Sequence, residues 1–100
     1  MANIGKLTLQ NDGTYKGEFH TLKHQFPLQM TPCESTTDRH PVYRVYSGKT
    51  EIGAAWENTA EETGVLYYTL RLNDPSFDRP IYTKLFQDKA DGGILHIVFD

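Results

Sequence analysis

The stretch Val65-Leu66-Tyr67-Tyr68-Thr69-Leu70-Arg71-Leu72 decides the fold. In an extended chain Leu66, Tyr68, Leu70 and Leu72 fall on one side, and Tyr67, Thr69 and Arg71 fall on the other. A helix would scatter the same residues around its surface. The first set is therefore read as a core face, where burying each large side chain stabilises by roughly 1.5–3 kcal/mol. Just upstream, Ser47-Gly48-Lys49 is a compact turn signal that folds Val42–Tyr46 back on Glu51–Trp56, with Gly48 supplying the positive φ of a tight hairpin. The whole segment Tyr43–Phe77 thus reads as strand, turn, strand, loop, strand.

The flanks repeat the pattern. Ile4–Gln10 carries Leu7 and Leu9 on one face, and Asn11-Asp12-Gly13 is a hairpin signal leading into a second strand over Thr14–Leu22. There Tyr15, Gly17 and Phe19 alternate with Lys16, Glu18 and His20. Phe26, Leu28 and Met30 form a third strand, expected to be short and at a sheet edge because Pro27 lacks a ladder donor. PCESTTDRHP, from Pro32 to Pro41, has no periodicity and reads as a surface loop. Asp74–Pro80 is a second proline-bracketed connection, with Phe77 turned inward as its anchor. Ile81–Gln87 and Ile94–Phe99 complete the strands, joined by Asp88–Gly93, and Leu95, Ile97 and Phe99 share a face. Thr59 and Glu62 have capping-box spacing, so at most one short helical turn is expected near residues 58–63. The expectation is a single all-β domain over residues 1–100, an antiparallel sandwich or small barrel of about seven to eight strands.

Composition narrows the function classes. Ten basic and thirteen acidic side chains leave a net charge of −3, which argues against a nucleic-acid binder dependent on a concentrated basic surface. No apolar run reaches the roughly 20 residues of a membrane helix, and the Met1-Ala2-Asn3-Ile4 start lacks the features of a signal peptide. The lone Cys33 rules out an internal disulfide. A cytoplasmic location is expected, with no membrane partner.

Reaction chemistry is sparse. His20, His24, Cys33 and His40 are metal-ligand types, but their spacing fits no compact zinc pattern; on one extended strand His20 and His24 would stand roughly 13 Å apart. Cys33 with His40 lacks an activating neighbourhood, and Glu57, Glu61, Glu62, Asp74 and Asp78 read as solvated loop charge rather than paired catalytic carboxylates. No phosphate-binding glycine loop, nucleophile elbow or dinucleotide fingerprint is present. No catalytic residue, metal or cofactor is assigned. Aromatic and basic residues interleave instead: Tyr43, Tyr46, Tyr67, Arg71 and Lys84 form the candidate binding surface, with Tyr67 and Arg71 outward opposite Tyr68.

Glu51-Ile52-Gly53-Ala54-Ala55-Trp56, Leu70-Arg71-Leu72-Asn73-Asp74-Pro75-Ser76-Phe77, Pro80-Ile81-Tyr82 and the Ile4-Gly5 opening resemble the bacterial family known as domain of unknown function seven-three-six. The resemblance implies small cytoplasmic proteins carried on plasmids and integrative conjugative elements, a setting of DNA mobility without an established activity. It supplies no functional residues. The chain departs from the family pattern at Glu57, where a basic residue is expected after the tryptophan, and at Asn73, where aspartate is common. The first departure is expected to weaken any basic surface near Trp56.

Two function classes follow. The first is a non-catalytic interaction module, an accessory of a bacterial mobile genetic element that binds a protein partner or itself through a sheet edge. The alternative is a β-barrel that binds single-stranded nucleic acid weakly through its aromatic and basic face. In either case the domain is expected to fold on apolar packing without a metal. Elemental analysis of untagged protein should find no stoichiometric zinc, and a chelator should leave the melting temperature unchanged.

Overall fold

The structure, a computed structural model, describes residues 2–33 and 40–99. Eight strands follow one another: β1 (Ala2–Leu9), β2 (Tyr15–His20), β3 (Gln25–Pro32), β4 (Tyr43–Ser47), β5 (Thr50–Thr59), β6 (Leu66–Leu72), β7 (Ile81–Gln87) and β8 (Ile94–Phe99). Each pairs antiparallel with the next, and β8 returns to pair with β1, so the sheet closes into an up-and-down barrel. No helix occurs among the described residues.

The turns form as their residues dictate. Gly13 and Gly48 have φ of 89° and 63°, conformations that a Cβ would strain, in the β1–β2 and β4–β5 connections. The β2–β3 turn lacks such a residue. There the hydroxyl of Thr21 accepts from the His24 backbone N–H at 3.0 Å, and the Thr21 N–H donates to the His24 carbonyl at 2.8 Å. A side-chain turn of this kind gives no glycine or proline cue, so β2 ends at His20 rather than reaching Leu22.

Period-two alternation fills the interior. Leu7, Met30, Val45, Ala55, Leu70, Leu72, Leu85 and Ile97 are fully buried, and Phe19 and Leu28 nearly so. β6 shows where the expected core face runs out: Leu70 and Leu72 are sealed, Tyr68 packs partly buried against them, and Leu66 is 46% exposed at the barrel's end. Phe99 similarly leaves the core at the opposite end, 51% exposed. Gly17 and Gly53 face inward where neighbouring strands pass closely. A Cβ on Gly53 would lie 1.9 Å from the Arg71 carbonyl oxygen, and one on Gly17 would lie 1.8 Å from that of Lys6.

Two expectations are corrected. β3 is neither short nor an edge strand: it spans eight residues between β2 and β4. Pro27 is tolerated because β4 pairs only with Gln29–Pro32, leaving β3 one neighbour at Pro27. Between β5 and β6 the chain makes a single turn, within the at most one short turn expected near residues 58–63: the Gly64 N–H donates to the Ala60 carbonyl at 2.8 Å and the Ala60 N–H to the Val65 carbonyl at 2.9 Å. Barrel closure also removes the edge strand that would have served for pairing with a partner. The loop expected between Pro32 and Pro41 lies largely outside the described residues; its flanks are tied by the Cys33 N–H donating to the Val42 carbonyl at 3.0 Å.

Leu70→Asp should abolish folding, whereas Thr69→Asp, on the outer face of the same strand, should leave the circular-dichroism spectrum intact. Gly53→Ala should destabilise by at least the roughly 1–3 kcal/mol of an overpacked core. Thr83 faces the interior and its Oγ1 has no hydrogen-bond partner among the described residues. Thr83→Val should therefore raise stability by about 1 kcal/mol in urea unfolding.

Candidate functional site

Strand register places the outward residues of β5, β6 and β7 side by side. Ala54, Arg71 and Tyr82 form one row, Trp56, Thr69 and Lys84 the next, and Asn58 lies beside Tyr67 in a third. Phe86 is the next outward residue of β7, and its ring stacks on that of Tyr67 with centroids 5.5 Å apart. The Arg71 guanidinium lies 5.4 Å from the Trp56 ring centroid, and the Lys84 ammonium lies 5.6 Å from that of Tyr67. The Asn58 amide donates to the Thr69 hydroxyl at 2.7 Å, fixing the ground between them. No carboxylate occupies these rows; Glu51, farther along β5, faces outward and pairs with Arg44 at 3.2 Å.

The patch is preorganised. Cation–π contacts at exposed sites are worth about 0.5–1 kcal/mol each, enough to bias these long side chains toward their ring partners. Tyr82, 60% exposed, is the ring most open to a partner.

Three of the five sequence-derived candidates, Tyr67, Arg71 and Lys84, lie within this patch. Tyr43 does not: it packs inside the barrel, its ring edge-on to Tyr15 at 5.8 Å and to Tyr68 at 5.5 Å. Tyr46 points outward on β4, paired in register with Gln29 and Glu51, away from the patch. The two tyrosines lie on opposite sides of β4, and alternation alone offered no way to choose between them. Trp56, Tyr82 and Phe86 are the members that sequence reasoning left out of the surface. Their cue was the parity of each strand, legible only once the register with β6 is known.

Glu57 lies opposite Tyr68 on the inner parity of β5, while Trp56 and Arg71 meet on the outer parity. The acidic set divides between opposite ends of the barrel, Asp74 and Asp78 on the β6–β7 connection and Glu57, Glu61 and Glu62 around the β5–β6 connection. His20 and His24 flank a turn and do not share an extended strand. His24 instead packs edge-on against Phe77, 4.8 Å between ring centroids. The Cys33 thiol donates to the Pro41 carbonyl at 3.1 Å. No group of three or more metal-ligating side chains converges among the described residues.

Inside the barrel, burial pushes the Tyr43 hydroxyl up from its ordinary 10.0 to about 12, reinforced by neighbouring Tyr68 and Glu57. Burial raises Tyr68 and Tyr15 as well. Outside, the His96 ring lies 2.7 Å from the Asp88 carboxylate and 2.9 Å from the Asn3 amide. The His96 contact, followed by the Ala90 backbone N–H, holds the Asp88 carboxyl below its usual range.

The fold and this surface define a small closed antiparallel β-barrel with an aromatic, cationic outer face. The chain belongs to the family described as Protein of unknown function (DUF736), which matches residues 3–100. No curated protein and no solved structure matches it.

The raised tyrosines set a pH dependence. A buried tyrosine stays protonated in the fold after the unfolded chain has begun to ionise, so its contribution is whole below the unfolded value of about 10 and is lost as pH rises through the folded value. Stability should fall between pH 10.0 and about 12. Tyr43→Phe should flatten that alkaline limb when tyrosinate absorbance and circular dichroism are followed together.

Proposed function

We propose that the protein is a non-catalytic interaction module of the bacterial cytoplasm, an accessory of a mobile genetic element, that engages an acidic protein partner through the outer face of β5, β6 and β7. The observation carrying this reading is the carboxylate-free patch of Trp56, Tyr67, Tyr82 and Phe86 with Arg71 and Lys84. Tryptophan, tyrosine and arginine are the residues in which interface binding energy concentrates. Here they are already held in place by neighbours, so little rotamer freedom remains to be lost on docking. The mobile-element setting is what the family resemblance implies.

Charge selects the partner within this reading. In a symmetric dimer built on the patch, the cations would meet one another, and like charges across an interface are unfavourable. An acidic surface complements them instead. Single-stranded nucleic acid is the second reading, favoured by the exposed Tyr82 ring in the same row as Arg71. Against it, Tyr67 is already stacked on Phe86 and two rings are engaged by cations, which leaves few free faces for bases.

Cross-linked capture from cells carrying the element, with nuclease treatment, tests the choice. An acidic protein should be retained after nuclease and lost with Arg71→Glu or Tyr82→Ala, while Tyr46→Ala changes nothing. A labelled single-stranded oligonucleotide should bind no tighter than about 10⁻⁴ M at physiological salt, the weak end of non-specific association. Micromolar oligonucleotide binding that Tyr82→Ala abolishes in a folded protein would overturn the protein-partner reading.

A further inference from the structure

The barrel has two unlike ends. At the end closed by Tyr15, Tyr43 and Tyr68, the space beside Tyr15 and Tyr68 is only about 60 Å³. At the opposite end, three pieces of chain distant in sequence frame a cavity of about 740 Å³: the β2–β3 turn, the β6–β7 connection and the strand ends at Ile4 and Phe99. That volume falls within the roughly 300–1,000 Å³ of small-ligand sites. Phe19 closes the cavity against the core, and Phe77, Ile81 and Phe99 help to make its wall predominantly apolar. A stack holds this wall in shape, with Phe19 on Phe26 at 4.9 Å and Phe26 on Phe77 at 5.9 Å.

Charge at this mouth is unbalanced. The Lys23 ammonium and the Asp78 carboxylate pair at 3.0 Å, clasping the two loops across the opening. Arg79 lines the same cavity and has no ion-pair partner among the described residues. The mouth therefore combines an apolar recess with one uncommitted guanidinium, in a chain whose net charge is −3. Leu22 stands fully exposed at the rim beside it, adding apolar surface where a tail would enter.

We propose that this mouth binds a small amphiphile, a medium-chain molecule with one anionic head, with its tail against Phe19, Phe77, Ile81 and Phe99 and its head on Arg79. The site is independent of the β5–β7 face. The barrel's own interior is filled by side chains, so the tail occupies the mouth and not the barrel centre. Guanidinium suits a planar carboxylate or a sulfonate through paired N–H donors. Protein segments are a poorer fit to a recess framed by loops and closed behind by Phe19.

Calorimetric titration of the full chain with decanoate below its micellar concentration tests the assignment, with decyltrimethylammonium as the opposite-charge probe. One decanoate should bind per chain, and Arg79→Gln should weaken it about tenfold, the loss expected for a charge-assisted contact. Ile81→Trp, which fills the recess, should abolish binding. Lys84→Gln, on the outer face, should leave it unchanged, which separates this site from the protein-partner reading. Arg79 is exposed, so its variant keeps the fold even where Ile81→Trp does not. Absence of saturable decanoate binding, equal affinity in Arg79→Gln, or equally tight binding of decyltrimethylammonium would overturn the proposal.

Discussion

Pairing of β1 with β8 is the constraint on which the rest of this molecule depends. Six register pairs from Ala2↔Phe99 to Thr8↔Ile94 join the two ends of the chain, with a shift between Asn3 and Gly5. That seam turns a meander, whose two outer strands would carry unpaired backbone groups, into a sheet without an edge strand. Outside it, His96 on β8 bridges Asn3 on β1 and Asp88 in the preceding connection, so side chains reinforce what the ladder makes. Both contacts are compatible if the Asn3 amide donates to Nδ1 and Nε2–H donates to the carboxylate.

Closure dictates how the interior is filled. Eight strands enclose a space that side chains can occupy completely, and the buried leucines, isoleucines, valine and methionine fill it together with Phe19. Where strands draw close, no side chain fits, and Gly17 and Gly53 stand at such positions. The two ends are finished differently. Tyrosines stop one end, where their hydroxyls can meet solvent and each other; phenylalanines line the other, where the β2–β3 turn, the β6–β7 connection and the ends of β1 and β8 frame a recess.

Closure also moves the opportunity for binding. No strand is left without a neighbour on either side along its whole length, so the proposed readings rest on side chains of the barrel wall and its mouth. Their chemistry differs: the β5–β7 wall is aromatic and cationic, and the mouth is concave and predominantly apolar.

By itself the sequence determined the local architecture: strands from period-two alternation, the turns at Gly13 and Gly48 from residues that tolerate positive φ, and the outward setting of Tyr67 and Arg71 from their parity against Leu70 and Leu72. These are properties of a few neighbouring residues, which is why they were legible. The Thr21 turn was not, because a hydroxyl there does the work usually signalled by glycine or proline. Only the tertiary structure decided whether the sheet closed, which of Tyr43 and Tyr46 went inside, and that Trp56, Tyr82 and Phe86 would join Tyr67 on one wall. Each of those outcomes depends on the register between strands, and register is set by how the whole core packs. The mouth cavity is the extreme case, since Phe19, Phe77 and Phe99 meet there only because closure brings the first hairpin, the β6–β7 connection and the last strand to the same end of the barrel.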